Sequence, residues 1–252
     1  MHVFDTGHFA LEDRLDEIAP LVASFLERSW SPPAPAEPMT IAVISATGHL
    51  GGAVAREALA RGHDVTAIAR HVNGLQGLAG ARAAEASVLD VDSITSVLAD
   101  HDAVVAALKV RGDSELDTVP NGARTLLTAL PRAGVRRRLF VGGGGSLLAP
   151  SGRRFVDAPD FPEQYKDEAL AQTRALEILP DADGAVDWSY ASPPPVHLVE
   201  GERTGRYRVR AGDLPLTDAQ GESRITILDY AAAIVDTLER GSFVGARFTA
   251  AY

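Results

Sequence analysis

The sequence predicts an α/β fold built on a doubly wound parallel sheet. Three observations point to it. From residue 40 onward, short apolar runs alternate with segments of helical periodicity. The runs are rich in Val, Ile and Ala without polar alternation, as strands covered on both faces are. The first run ends in a glycine-containing turn that opens directly into a helical segment. Such alternation produces right-handed βαβ units.

The N-terminal stretch comes first. Over residues 1–30, Leu11, Leu15, Ile18, Val22 and Phe25/Leu26 recur at helical spacing, which predicts an N-terminal helical extension. Pro20 kinks or splits it. Residues 31–38 carry four prolines in eight positions and read as a stiff, extended linker of about 3 Å per residue. Residues 39–252 form the α/β domain. Its strands are expected at 40–46, 64–70, 86–89 (the weakest), 103–108, 138–142 and 186–191. Helices are expected at 51–61, 93–99, 122–133 and 169–179. After Pro195 the rhythm loosens into short strands at 207–209, 224–227 and 247–250, with a helix at 228–238. This part is expected to be a small C-terminal subregion on the substrate side.

Composition narrows the function. The 252 residues suit one or two domains, and 46% apolar content supplies one large core. A net charge of −10 repels phosphate backbones, so no nucleic-acid partner is expected. The one dense basic run, Arg136-Arg137-Arg138, reads as a solvated strand entrance. There are no cysteines, which excludes disulfides, thiolate catalysis and iron–sulfur ligation. No His/Asp/Glu cluster has metal-ligand spacing, so no metal is expected. No apolar run approaches the roughly 20 residues of a bilayer span. The acidic start (Asp5, Glu12, Asp13, Asp16, Glu17) is unlike a signal peptide. The expectation is a cytoplasmic protein without membrane contact.

The central motif is Ser45-Ala46-Thr47-Gly48-His49-Leu50-Gly51-Gly52, between the first strand and the first helix. A helix N-terminus there offers unpaired N–H groups and partial positive charge to a pyrophosphate. Its glycines let backbone approach phosphate and let helix pack on strand. The fold is therefore expected to be Rossmann-like, with Ser45, Thr47, Gly48, His49, Leu50 and Gly51 holding a dinucleotide. Ser45 stands where the first glycine is usual. Its side chain either crowds the turn or bonds a phosphate oxygen. Arg70 ends the second strand, where NAD-specific domains often carry an acid. A guanidinium there favours NADP(H) over NAD(H). Asp90 either meets the adenine edge or caps a helix. Ala107 and Leu108, at the end of the fourth strand, are expected along the cofactor.

These residues resemble the atypical short-chain dehydrogenase/reductase group. Within it they resemble the NmrA-like and biliverdin-reductase-B/flavin-reductase-like NAD(P)-binding proteins. The resemblance covers about 40–252. It rests on the 46–51 loop, Arg70, the 102–107 strand, Phe140–Leu147, Asp187–Pro195 and Ser223–Ala231. It implies an NADP(H)-binding domain with its substrate pocket at the C-terminal edge of the sheet. The stretch Val3–Glu12, with His8, resembles the final segment of an α/β-hydrolase. No G-x-S-x-G nucleophile elbow accompanies it. His8 therefore reads as a remnant without a nucleophile, and its helix either packs on the domain, contacts a second copy or a protein partner, or is loosely held.

Carbonyl reduction by the common short-chain route needs Tyr-x-x-x-Lys, in which the lysine lowers the tyrosine pKa. No tyrosine in the chain has a lysine four residues on. Reduction of a planar acceptor such as a flavin or quinone demands less. The ring stacks on the nicotinamide, and the protein contributes binding and orientation. Ser146 is the expected polar group near the reacting ring, or else a turn serine. Tyr165 and Lys166 are expected to gate or line the pocket, and Pro193 and Pro194 to shape its wall. Arg153, Arg154, Arg203 and Arg206 either attract an anionic acceptor or sit as surface charge. His63 and His101 are expected in exposed turns. The alternative reading is a non-catalytic NADP(H)-sensing protein that signals through a partner.

Overall fold

The computed structural model describes residues 18–20, 37–110, 116–182, 184–195 and 197–252. The chain divides into two units, Met1–Glu37 and Pro38–Tyr252, and the second holds the whole α/β domain. The hydrolase-like segment with His8, and all of the proline linker except Glu37 and Pro38, lie outside the described residues.

The strands are β1 (Thr40–Ile44), β2 (Asp64–Ala69), β3 (Arg82–Glu85), β4 (Ala103–Ala106), β5 (Arg137–Val141), β6 (Asp187–Ser192), β7 (His197–Val199), β8 (Arg208–Ala211), β9 (Arg224–Thr226) and β10 (Ala246–Ala251). The helices are α1 (His49–Ala60), α2 (Val91–Leu98), α3 (Thr118–Arg132), α4 (Lys166–Ile178) and α5 (Ile227–Glu239). The main sheet runs β3-β2-β1-β4-β5-β6-β10-β8. All its neighbours pair in parallel except β8, which runs antiparallel to β10 at the edge. A separate parallel pair joins β7 to β9. The sheet is Rossmann-like and doubly wound, and its strand order reverses between β1 and β4. Open parallel sheets bind ligands at such a switch point.

Alternation along β1 divides the core. Ile41 and Val43 join one apolar cluster with residues of α1 and α5. Ala42 and Ile44 join the other, with α2, α3 and α4. Ile41 and Val43 are fully buried, and each contributes about 1.5–3 kcal/mol relative to exposure. Ion pairs fix α1 to α5. Arg61 Nη1 reaches Asp236 Oδ1 and Glu239 Oε2, both at 2.7 Å. Arg61 Nε donates to Glu57 Oε1 at 2.8 Å.

Several expectations are corrected. The third strand is Arg82–Glu85, not 86–89. It is an edge strand with largely exposed side chains, so it has no apolar signature. Ala86 and Val88 are apolar because they pack into the second core beyond the strand end. Arg138 is not solvated. It is fully buried on β5, and its three guanidinium nitrogens have no hydrogen-bond partner. Burial pushes its pKa down to about 9, still high enough to keep it charged at neutral pH. Its neighbours differ. Arg136 pairs with Asp187 at the surface, and Arg137 bonds Ser189 Oγ at 2.8 Å. His63 and His101 are buried. His63 Nε2 lies 2.9 Å from Glu239 Oε1, and His101 Nε2 lies 2.8 Å from Thr66 Oγ1.

Candidate active site

β1 delivers the chain into a turn at Ser45, whose φ is 61°. That left-handed conformation is the one glycine adopts without strain. The turn lets α1 begin at His49 with Gly48 as N-cap. No side chain caps this helix, so its first-turn N–H groups face outward as donors. Gly51 makes the geometry possible. A Cβ there would lie 2.5 Å from Ser45 O and 3.3 Å from Ala107 Cβ. A close-approach glycine beneath an uncapped helix N-terminus fits a pyrophosphate.

Two cavities flank this loop, and Lys109 lines both. On the β2 side, Ser45, Thr47, Arg70, Ser87, Leu108 and Thr118 surround the first. Asp90 is not among its lining residues. Its Oδ1 accepts from Ser93 N at 3.0 Å and caps α2, so the capping alternative is the one observed. Ala107 packs toward Gly51 without lining either cavity.

The second cavity, of about 560 Å³, lies over the C-terminal ends of β5 and β6. His49 and Leu50 form one side, and Gly142–Gly145 the floor. Pro193, Pro194 and Pro195 form a wall, and Phe161 and Tyr165 also line the cavity. The floor must be glycine where the wall presses on it. A Cβ on Gly144 would come within 2.6 Å of Pro193 O and 2.7 Å of Pro195 Cα. His49 also meets Glu200 at 3.3 Å, but both side chains are well exposed, so the pair contributes little.

The expected chemical residues separate. Ser146 is buried and does not line the cavity. Arg247 Nη2 donates to its hydroxyl, so Ser146 is held away from the expected reacting position. Tyr165 does line the cavity. Lys166 does not; it begins α4 and pairs with Glu163 at 3.5 Å. Adjacent positions at a helix start point in different directions, which separates the two. Arg154 is engaged by Asp157 at 2.7 Å and Arg203 by Glu57 at 2.8 Å. None of the four arginines expected to attract an anion lines the cavity.

Tyr190 underlies the floor, against Gly142. Its hydroxyl donates to Gln172 O at 2.9 Å and accepts from Gly143 N at 3.2 Å. Complete burial pushes its pKa well above the usual range.

Sequence reasoning missed Glu168. It lines the cavity and is half-buried. It accepts from Val110 N at 2.7 Å and from Gln172 Nε2 at 2.8 Å. Burial raises its pKa, against the opposing pull of these bonds and of Lys109. The available signal was an acid in the first turn of a helix with glutamine four residues on.

Among the described residues no three His, Asp or Glu side chains converge to hold a metal. No described helix is long and apolar enough to cross a membrane.

The NAD(P)H-binding family model matches residues 45–240. An uncharacterized protein of Bacillus subtilis, YwnB, is 34% identical over 216 residues, covering 84% of this chain and 97% of that protein. A candidate epimerase from Bacteroides thetaiotaomicron superposes with a TM-score of 0.76 at 33% identity, over 86% of this chain and 98% of that one. A candidate NADH-flavin reductase from Streptococcus pneumoniae gives 0.74 at 32% identity, over 84% of this chain and 99% of that one.

Proposed function

The chain belongs to the NAD(P)H-binding family, in its atypical short-chain dehydrogenase/reductase-like branch, and from that premise we propose an NADPH-dependent reductase of planar acceptors such as flavins or quinones. The observation that carries this reading is the second cavity. Its floor is backbone glycine and its wall is three prolines, and the Tyr-x-x-x-Lys motif of the common short-chain route is absent from the sequence. Such a cavity orients a flat ring and offers little machinery for a secondary alcohol. The name of the Streptococcus pneumoniae protein, 32% identical, agrees with this class.

In this reading the 45–51 loop and the α1 N-terminus hold the pyrophosphate. Arg70, which lines the first cavity, meets the ribose 2′-phosphate. When bound, the reduced nicotinamide supplies a hydride. Tyr165 and Phe161 cover the ring, and Pro193–Pro195 limit how far it tilts. Glu168 holds the proton that the acceptor takes up beside the hydride, so a two-electron reduction balances. Burial makes that proton easier to retain above the ordinary carboxylate range.

The test is steady-state oxidation of NADPH and NADH with FMN and with an unsubstituted benzoquinone, for wild type and Arg70→Ala. Multiple turnover with NADPH preferred is expected. A charged hydrogen bond worth about 1.5–3 kcal/mol makes the expected loss of preference in Arg70→Ala about 10- to 100-fold. NADPH binding without turnover of any acceptor would point instead to a sensing protein.

A further inference from the structure

A separate hollow of about 670 Å³ opens between the β5–α4 loop and the β8–β9 loop. Its walls are mainly apolar: Leu148, Pro150, Phe155, Leu214 and Pro215. Pro195 lines both this hollow and the acceptor cavity, so the two adjoin at one residue.

The hollow is held open by bonds in its frame. Leu148 N donates to Asp213 O at 2.8 Å, and Phe155 N donates to Leu147 O at 3.0 Å. Arg247 Nη1 joins the two loops, reaching Asp213 Oδ1 at 2.9 Å and Ser146 O at 3.2 Å. Ser146 thus belongs to the frame of this hollow.

The polar groups suit an uncharged occupant. Arg210 directs Nη2 at Leu214 O (3.1 Å) and Pro215 O (3.2 Å), the carbonyls of the hollow's own rim. Glu222 is the other charged residue of the lining, and it repels an anion. A nucleotide phosphate gains little here. Leu214, by contrast, keeps 52% of its surface exposed, an apolar side chain waiting to be covered. Pockets of this size and character hold the apolar body of small ligands.

We propose that this hollow receives an alkyl or isoprenoid side chain of the acceptor, which makes the preferred acceptor a tailed quinone rather than a flavin nucleotide. The inference rests on the reductase reading above and narrows it. The ring lies over the glycine floor, and the tail crosses Pro195 into the hollow. Moving one methylene from water into an apolar site strengthens binding about fourfold, so even two or three well-covered methylenes give more than tenfold.

The experiment compares three acceptors with NADPH under identical conditions: an unsubstituted benzoquinone, its decyl derivative and FMN. Each is run with wild type and with Leu214→Glu. A kcat/KM at least tenfold higher for the decyl quinone than for the parent is expected, with FMN below both. Leu214→Glu is expected to abolish the tail preference and leave turnover of the parent quinone unchanged, which also reports an intact fold. Equal kcat/KM for tailed and tail-less quinones, or a preference that survives Leu214→Glu, overturns the hollow as a tail site. Turnover confined to FMN overturns it and leaves the reductase reading standing. No turnover of any acceptor overturns both.

Discussion

Gly51→Ala places one methyl group where the helix and the turn meet. The new Cβ would lie 2.5 Å from Ser45 O, 3.1 Å from Ser45 C and 3.3 Å from Ala107 Cβ. Ordinary contact begins near 3.4 Å, so the Ser45 carbonyl must retreat by about 0.9 Å, and it is backbone. Overpacking of this kind costs about 1–3 kcal/mol. Alanine in a helix returns about 0.8–1.0 kcal/mol relative to glycine. The net loss of stability is therefore about 0–2 kcal/mol, or at most about 8 °C in Tm for a domain of this size. Cofactor binding suffers more. A hydrogen bond to phosphate lengthened by most of an ångström falls outside bonding range, and losing one such charged bond weakens binding about 10- to 100-fold. The assays are fluorescence titration with NADPH and thermal denaturation of the same samples. Affinity is expected to fall at least tenfold while the variant stays folded. NADPH affinity within a factor of two of wild type would refute the reasoning that Gly51 shapes the phosphate turn.

Three other residues give measurable outcomes. Arg138→Met removes a fully buried guanidinium with no partner, and replacement by a hydrophobe of similar volume stabilises by about 1–4 kcal/mol. Calorimetry is expected to show a higher Tm, and a lower one contradicts the isolated charge. Ser45→Gly relieves about 1–2 kcal/mol of left-handed strain at φ 61°, against about 0.5–1 kcal/mol of added unfolded-chain freedom. Denaturant titration is expected to show a gain of up to about 1.5 kcal/mol with NADPH affinity unchanged; a tenfold loss of affinity would instead assign the hydroxyl a phosphate bond. Glu168→Gln keeps the side chain's size and one of its two accepted hydrogen bonds and removes the titrating proton, so kcat is expected to fall about 100-fold, and the pH profile to lose its Glu168 limb. In wild type that limb declines as pH rises through the Glu168 pKa, which burial lifts above 4.5. The folded state binds more protons in that window, so wild-type stability also declines there with rising pH, and in Glu168→Gln this decline disappears. Matching pH–rate profiles for the two proteins would exclude Glu168 as the acid.

The central strands were legible because burial on both faces writes an unbroken apolar run, as in Ile41–Ile44 and Ala103–Ala106. β3 was not, because an edge strand whose residues face solvent has no reason to be apolar. The phosphate turn was legible in Gly48 and Gly51, since close backbone approach permits few other residues. The chemical residues were harder. Ser146 is taken up by Arg247, 101 positions away, and Glu168 is placed by Val110, 58 positions away. Contacts at that separation leave no mark in local pattern. Arg138 shows the same limit, because a basic triplet at a strand entrance reads as solvated until the fold buries its third member.

The most direct test is a parallel fluorescence titration of the full chain with NADPH and NADH. The loop and Arg70 together predict saturable binding of both, with NADPH tighter by at least tenfold. Failure of either nucleotide to bind would contradict the reading of the 45–51 loop. NADH binding as tightly as NADPH would contradict the role given to Arg70.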